Sequence, residues 1–174
     1  VFASRPAPVQ LTYLGYASTT GTDYIDYIVA DRVLVKSGEE QNYSEKIIYL
    51  PHTFMPHDVI GRHISDRAFT RSDLNLPESD FVFCCFNNEY KFNPGSFQSL
   101  LRILKGVDRS VLWLSDLKTT AKDNLRRACS ASGLDPGRLI FASRLPSAAE
   151  HLARHRLADL FLDTLPYNAH TTAS

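Results

Sequence analysis

Three groups of polar residues have the types and spacing that could bind a phosphorylated ligand. The first lies at residues 86–91, where Asn87, Asn88 and Lys91 follow an apolar run typical of a strand. A lysine at a junction between strand and helix lies where a phosphate would meet both an ammonium group and the helix dipole. A solvated loop whose lysine binds nothing is the plain alternative, and these residues alone leave both interpretations open.

The second group lies on one predicted helix and contains two histidines and an arginine. His151 and Arg154 are three residues apart, so they share a helix face and could hold one anionic or planar group. His151 and His155 are four apart, which is also a metal-ligand spacing, but Leu152 stands where the H-E-x-x-H motif has its glutamate. The residues therefore favour a ligand over a metal, with an amphipathic surface helix as the alternative.

The third group is His170, Thr171 and Thr172, small and polar residues that follow another apolar run. Hydroxyl and backbone donors in such a loop could bind phosphate, although the G-K-[ST] element of a P-loop is absent.

A fourth segment, residues 14–21, is a hydroxyl-rich loop between glycines that would allow a ligand to approach the backbone closely. G-x-S-x-G and G-x-G-x-x-G motifs are also absent, which argues against hydrolases and dehydrogenases.

The elements that must position these residues alternate between strand and helix from residue 80 onward. Apolar runs predict strands at residues 81–86, 111–114, 138–143 and 159–163. Helices are predicted after the Asn93 cap, over residues 119–132, and from Ser147, which opens a capping-box pattern with Glu150. The order predicts an α/β fold with a parallel, Rossmann-like sheet and helices on both faces. Ligands bind beyond the carboxyl ends of such strands, so the first three groups are expected to converge on one crevice.

The first part of the chain is less regular, with strands predicted at residues 9–14, 26–31 and 46–50. Residues 56–80 are polar and suit a linker. The sequence therefore divides into residues 1–55, a linker at 56–80, and residues 81–174.

Composition excludes several classes of partner. Nineteen basic residues balance nineteen acidic ones, which gives no overall electrostatic footprint for nucleic acid, and no apolar run approaches the length of a membrane span. The three cysteines have no disulfide or metal spacing, and the strand-like run around Cys84 and Cys85 predicts that these two are buried free thiols in a reducing cytoplasm. The chain begins without Met and stops after a turn, so we interpret it as a fragment.

An ordered series of short motifs resembles the O-GlcNAc transferase family, including its bacterial members and the plant SPINDLY branch. The family's N-terminal catalytic lobe is similar to this chain at residues 5–10, 14–16, 44–46 and 51–54. The family's C-terminal lobe is similar to it at residues 86–91, 110–114, 150–154, 157–159 and 170–172. Each motif is weak alone, but the series covers nearly the whole chain in the family's order.

The resemblance implies a two-lobed GT-B fold with the donor between two Rossmann-like lobes. Residues 1–55 would end the N-terminal lobe, and residues 81–174 would form a truncated C-terminal lobe that binds the nucleotide sugar. The implied reaction is inverting, metal-independent transfer of N-acetylglucosamine from UDP-GlcNAc to Ser or Thr of intracellular proteins, without a cofactor. The implied partners are the donor, a protein acceptor, and the remaining catalytic lobe and tetratricopeptide (TPR) region of a longer cytoplasmic chain.

The resemblance also implies roles for single residues. Lys91 would be catalytic, holding the diphosphate and stabilising charge on the departing UDP. The nucleotide would be bound by Asn88, Pro146, His151, Arg154, His170, Thr171 and Thr172. The sugar would be bordered by Leu14, Gly15 and Thr53. No residue is expected to bind a metal.

Two departures from the family pattern are informative. Animal members have Gln in place of Asn88, and Lys in place of Ala148, so a cation on the uridine side is missing here. A GDP-fucose-dependent protein O-fucosyltransferase is therefore an alternative, as is a catalytically silent nucleotide-binding or scaffold lobe. A family aspartate that binds the ribose would follow Ser174, so the chain alone is expected to be inactive.

Overall fold

A computed structural model describes residues 1–58 and 60–173. The chain forms two compact units, Val1–Asp58 and Val59–Ser174. The first unit contains a parallel sheet of β1 (Leu11–Thr12), β2 (Tyr27–Ala30) and β3 (Lys46–Tyr49), in that order. The strand predicted at 9–14 is reduced to β1, since Leu14 has a positive φ of 67° and the Gly15 N–H donates to the Tyr13 carbonyl. That tight turn ends the extended backbone.

The second unit contains a four-stranded parallel sheet, which confirms the predicted α/β class. Its strands are β4 (Phe81–Cys85), β5 (Ser110–Leu114), β6 (Leu139–Phe141) and β7 (Leu160–Phe161). Their spatial order is β6-β5-β4-β7, so β4 and β7 are neighbours although 74 residues separate their ends in sequence. The loops that follow these two strands therefore leave the same edge of the sheet side by side.

Three helices connect the strands of the second unit. Helix α1 (Pro94–Gly106) begins with a capping box between Asn93 and Ser96, and α2 (Thr119–Ala131) is followed by Gly133 at φ 74°. Helix α3 (Ala148–Arg154) has the predicted Ser147 cap, whose hydroxyl accepts from the Glu150 N–H at 3.4 Å. The predicted capping box is only half formed there, because the Glu150 carboxylate is 2.8 Å from Arg67.

Both faces of this sheet are covered, one by α1 and α2 and the other in part by α3, whose Arg154 guanidinium lies 5.7 Å from the centre of the Trp113 ring. One face packs Phe83, Cys85, Leu112 and Leu114 against the apolar sides of α1 and α2. The alternate residues face the other way, and Trp113 at the centre of that second cluster is fully buried. Alternation of this kind follows from the two-residue period of a strand.

Residues 60–80, which fall in the predicted linker, belong to the second compact unit. Leu76 is buried in the cluster around Trp113, and the Arg71 guanidinium contacts Asp159 at 2.9 Å. No helix in the part of the chain that the structure describes is long and apolar enough to cross a bilayer.

Candidate functional site

The loop after β4 carries Lys91 at the carboxyl edge of the sheet. A short 3-10 turn, Glu89–Lys91, follows the strand and directs Lys91 toward the loop after β7. Lys91 Nζ donates to the Asn168 carbonyl at 2.9 Å and lies 4.7 Å from the centre of the Tyr167 ring. The structure thus brings the predicted catalytic cation onto the segment that also carries His170, Thr171 and Thr172.

A hydrogen-bonded hub holds these two loops together. The Asn87 amide is buried and donates to Asp163 Oδ1 at 2.9 Å and to Thr164 Oγ1 at 2.8 Å. Asp163 also accepts from the backbone N–H groups of Thr164 and Ala169, each at 2.7 Å. Burial alone would raise the pKa of Asp163, but the hydrogen bonds from Ala169, Asn87 and Thr164 outweigh it and lower that pKa. Asp163 is therefore a carboxylate that fixes the shape of the third polar group.

Sequence reasoning missed Asn87 and Asp163 as structural determinants of the site. Their signal was present, since an amide and a carboxylate each stand two residues after the end of a strand of one parallel sheet. Which strands are neighbours is not visible in the sequence, and only the pairing of β4 with β7 brings the two side chains together.

Helix α3 carries His151, which is half-buried, and Arg154, which is buried. Arg154 is only 4% exposed, donates to the Ser143 carbonyl at 2.7 Å, and lies 4.6 Å from the centre of the Phe86 ring. Its Nη2 is 2.6 Å from His151 Nδ1. Because a guanidinium can only donate, Nδ1 must accept, and the proton of the neutral imidazole is on Nε2.

The role of Arg154 at the nucleotide stays a prediction. The side chain is already used inside the fold, where it orients the His151 ring. Burial, together with the positive charges of Arg154 and His155, lowers the pKa of His151 to about 4. His151 is therefore a neutral hydrogen-bond donor near pH 7, suited to a carbonyl or an ionised phosphate oxygen.

A cavity of about 810 Å³ opens beside α3 within the second unit. His151, Thr171 and Thr172 line it, so three of the predicted nucleotide-binding residues share one concave site. Its volume falls in the range of known small-molecule sites. Its other walls include Ala148 and Ala149 of α3 and residues 61–64, which sequence reasoning had assigned to a linker.

The remaining predicted nucleotide-binding residues lie outside this lining. Asn88 is exposed at the start of the turn that carries Lys91, and its amide contacts the Tyr90 hydroxyl at 3.3 Å. Pro146 immediately precedes the Ser147 cap of α3. The His170 ring stacks on Tyr167 with 5.8 Å between ring centres, and Tyr167 is also the ring beneath Lys91.

In the first unit, the three residues predicted to border the sugar lie in neighbouring loops. Leu14 and Gly15 form the turn after β1, and Leu14 is 42% exposed. The Tyr13 hydroxyl donates to the Phe54 carbonyl at 2.8 Å, which ties that turn to the loop containing Thr53. A non-glycine residue at positive φ is uncommon and marks local backbone strain. Such strain, at an exposed turn, suits the predicted role of bordering a ligand.

Glu45 organises the hydroxyl-rich loop of the same unit, and sequence reasoning did not identify it. The side chain is 4% exposed, and its carboxylate accepts from Thr19 Oγ1 and from the Thr20 N–H, each at 2.7 Å. The Thr20 hydroxyl also donates to it. Burial alone would raise the pKa of Glu45, but these hydrogen bonds dominate and lower it to about 2.

Neither thiol chemistry nor a metal site is indicated in the described residues. All three cysteines are free and buried, as predicted for Cys84 and Cys85, and burial raises the pKa of Cys84 to about 12 and that of Cys85 to about 11. Thiols of this kind are poor nucleophiles at neutral pH. Within residues 1–58 and 60–173, no three His, Cys, Asp or Glu side chains are grouped so that they could hold a metal ion.

Comparison with known proteins places this geometry in a family. The model of the family described as Glycosyl transferase family 41 matches residues 1–72 and 66–174. The chain is 37% identical over its whole length to the probable UDP-N-acetylglucosamine–peptide N-acetylglucosaminyltransferase SEC of Arabidopsis thaliana. It is 32% identical, over 99% of its length, to the probable enzyme of the same description, SPINDLY, of Petunia hybrida.

A solved structure gives the same result. A mutant O-GlcNAc transferase from Thermobaculum terrenum matches with a TM-score of 0.78 and 30% sequence identity, over 98% of this chain and 32% of the other. The chain spans 18% of the length of the Arabidopsis and Petunia relatives. The similarity is therefore to one continuous part of these larger proteins.

Proposed function

The chain belongs to glycosyl transferase family 41, and on that premise we propose that it is the donor-binding part of a protein O-linked N-acetylglucosaminyltransferase. The parent enzyme would transfer N-acetylglucosamine from UDP-GlcNAc to Ser or Thr hydroxyls of proteins, with inversion at the anomeric carbon. The relatives' names support the donor and the peptide acceptor. The observation that carries the proposal is the contact between Lys91 Nζ and the Asn168 carbonyl.

That contact joins a cation to the loop predicted to bind phosphate, at the carboxyl edge of a parallel sheet. Ligands of open α/β sheets bind at that edge. When a diphosphate binds there, its charged oxygens would replace the neutral Asn168 carbonyl as the partner of the Lys91 ammonium. As the bond between sugar and phosphate breaks, negative charge grows on the departing UDP, and an ammonium placed there stabilises the transition state more than the ground state.

Two loops and a helix would contact different parts of the nucleotide. Thr171 and Thr172 offer hydroxyl groups to the diphosphate from the wall of the cavity. His151, held by Arg154 with its proton on Nε2, offers one donor to the base or ribose. Leu14, Gly15 and Thr53, which belong to the first unit, remain predicted sugar-binding residues.

The proposal includes three features of the parent protein. Lys91 supplies the positive charge that a divalent ion supplies in other glycosyltransferases, so transfer should be unaffected by EDTA. The protein acceptor is selected by regions outside this chain, including the rest of the catalytic lobes and a TPR region. Nucleic acid and membrane are not partners, and the site of action is the cytoplasm.

A transfer assay with the full-length parent tests this function. Radiolabelled UDP-GlcNAc is expected to label Ser or Thr of a protein acceptor in EDTA, whereas labelled GDP-fucose is not. Lys91→Ala should abolish the labelling while circular dichroism remains unchanged. Labelling from GDP-fucose alone would replace the proposal with O-fucosyl transfer, and transfer by Lys91→Ala at the parental rate would remove Lys91 from the mechanism.

A further inference from the structure

One wall of the cavity is built by a segment that contacts α3, here called the strap (residues 61–67). The Ser65 N–H donates to the Ala149 carbonyl at 3.1 Å, and the Arg67 guanidinium is 2.8 Å from the Glu150 carboxylate. Arg156 Nη1 donates back to the Ser65 carbonyl at 3.2 Å. These contacts hold the strap beside the first turn of α3, where Ala148 lies.

The strap gives the cavity its permanent charge. Among the described residues that line the cavity, Arg62 is the only lysine, arginine, aspartate or glutamate. His151 is neutral near pH 7, and Ala148 contributes only a methyl group. Arg67, on the same strap, is paired with Glu150, whereas Arg62 has no ion pair with any residue in ranges 1–58 and 60–173.

A nucleoside diphosphate brings two or three negative charges into this cavity, and the lining must compensate part of them. An arginine is suited to this because its planar guanidinium presents paired N–H donors to phosphate oxygens and stays protonated. Lys91 lies outside the lining and belongs to the loop after β4. A second cation from a different segment would therefore act on the ligand independently of Lys91.

We propose that Arg62 is a nucleotide-binding residue that supplies, from the strap, the positive charge which position 148 of α3 does not provide. The inference rests on the proposed function, since it names a further residue of the same donor site. It explains how a chain with alanine at position 148 can still bind an anionic nucleotide. It also assigns a ligand-binding role to residues that the sequence presents only as a polar linker.

Calorimetric titration of the full-length parent with UDP and with uridine tests this role. Arg62→Ala should weaken UDP binding about tenfold, the loss of roughly one charge-assisted hydrogen bond. Uridine binding should change little, because uridine has no phosphate. The double variant Arg62→Ala with Ala148→Lys should recover most of the lost UDP affinity, since it restores a cation to the same lining. Arg102→Ala, which removes an exposed arginine from α1, is the matched control.

The outcomes separate this inference from the function on which it rests. If the parent binds UDP and Arg62→Ala binds it equally well, the role of Arg62 is wrong and the donor site stands. Equal losses for UDP and uridine, or no recovery in the double variant, would also overturn the role, because they indicate a general disturbance of the strap. If the parent itself does not bind UDP, the proposed function fails first.

Discussion

Replacing Glu45 by glutamine is expected to loosen the hydroxyl-rich loop of the first unit. The carboxylate accepts hydrogen bonds from Thr19 and from both the backbone and the hydroxyl of Thr20, and it is 4% exposed. Glutamine has nearly the same shape but no charge, and its amide group can only donate where one carboxylate oxygen accepted. The variant therefore leaves at least one donor of the loop without its partner.

The pKa of Glu45 sets the size and the pH range of this effect. A fall from 4.5 in the unfolded chain to about 2 in the folded one corresponds to about 3 kcal/mol of stabilisation, at 1.36 kcal/mol per unit. Glutamine keeps one acceptor oxygen, so the measured loss should lie between about 1 and 3 kcal/mol. Since the folded pKa is the lower one, the contribution is complete above pH 4.5 and disappears as the pH falls toward 2.

Urea unfolding at pH 7 and pH 3 measures this effect. Tyrosine emission reports chiefly on the first unit, where most of the eight tyrosines lie, while the single tryptophan, Trp113, lies in the second. Glu45→Gln should lower the tyrosine-detected stability at pH 7, lower it much less at pH 3, and leave the Trp113 transition unchanged. Asp23→Asn, which neutralises an exposed residue of the same unit, is the control. A loss of equal size at both pH values would refute the reasoning, because it would not depend on ionisation of Glu45.

Three further substitutions test the second unit. Arg154→Leu should raise the pKa of His151 above its value of about 4, but not to 6.5, because burial is the larger cause and remains. NMR titration of the imidazole measures this pKa, and an unchanged value would contradict the contact between Arg154 and His151. Trp113→Ala should cost about 3–5 kcal/mol in urea unfolding, since a fully buried ring is lost, and a cost below about 1 kcal/mol would disagree with its central packing. Asn93→Ala removes the α1 cap and a bond to the Leu165 carbonyl; a loss of about 1–2 kcal/mol is expected, whereas Gln98→Ala on the exposed side of α1 should be nearly neutral.

The architecture of the second unit could be predicted from local sequence because each element carries its own signal. The apolar run before Phe86, the Asn93 cap and the glycine after α2 specify strand, helix start and helix end without reference to distant residues. The first unit was harder to predict. Its strands have two to four residues each, and β1 is cut short by a turn at Leu14, a residue type that rarely adopts positive φ.

The site was only partly predictable, for a different physical reason. His151, Thr171 and Thr172 were identified by residue type, and the fold brings them to one cavity. The burial of Arg154 could not be foreseen, since its spacing from His151 fits a ligand grip and an internal contact equally well. The position of the strap beside α3 was also not predicted, because a polar composition does not indicate the contacts that Ser65 and Arg67 make with that helix.

Calorimetric titration of the full-length parent with UDP, without divalent metal and alongside GDP, tests the central claim most directly. The account predicts binding of UDP in preference to GDP, and its loss in Lys91→Ala with the fold intact. Binding of neither nucleotide by a folded parent would contradict a donor site at the carboxyl edge of this sheet.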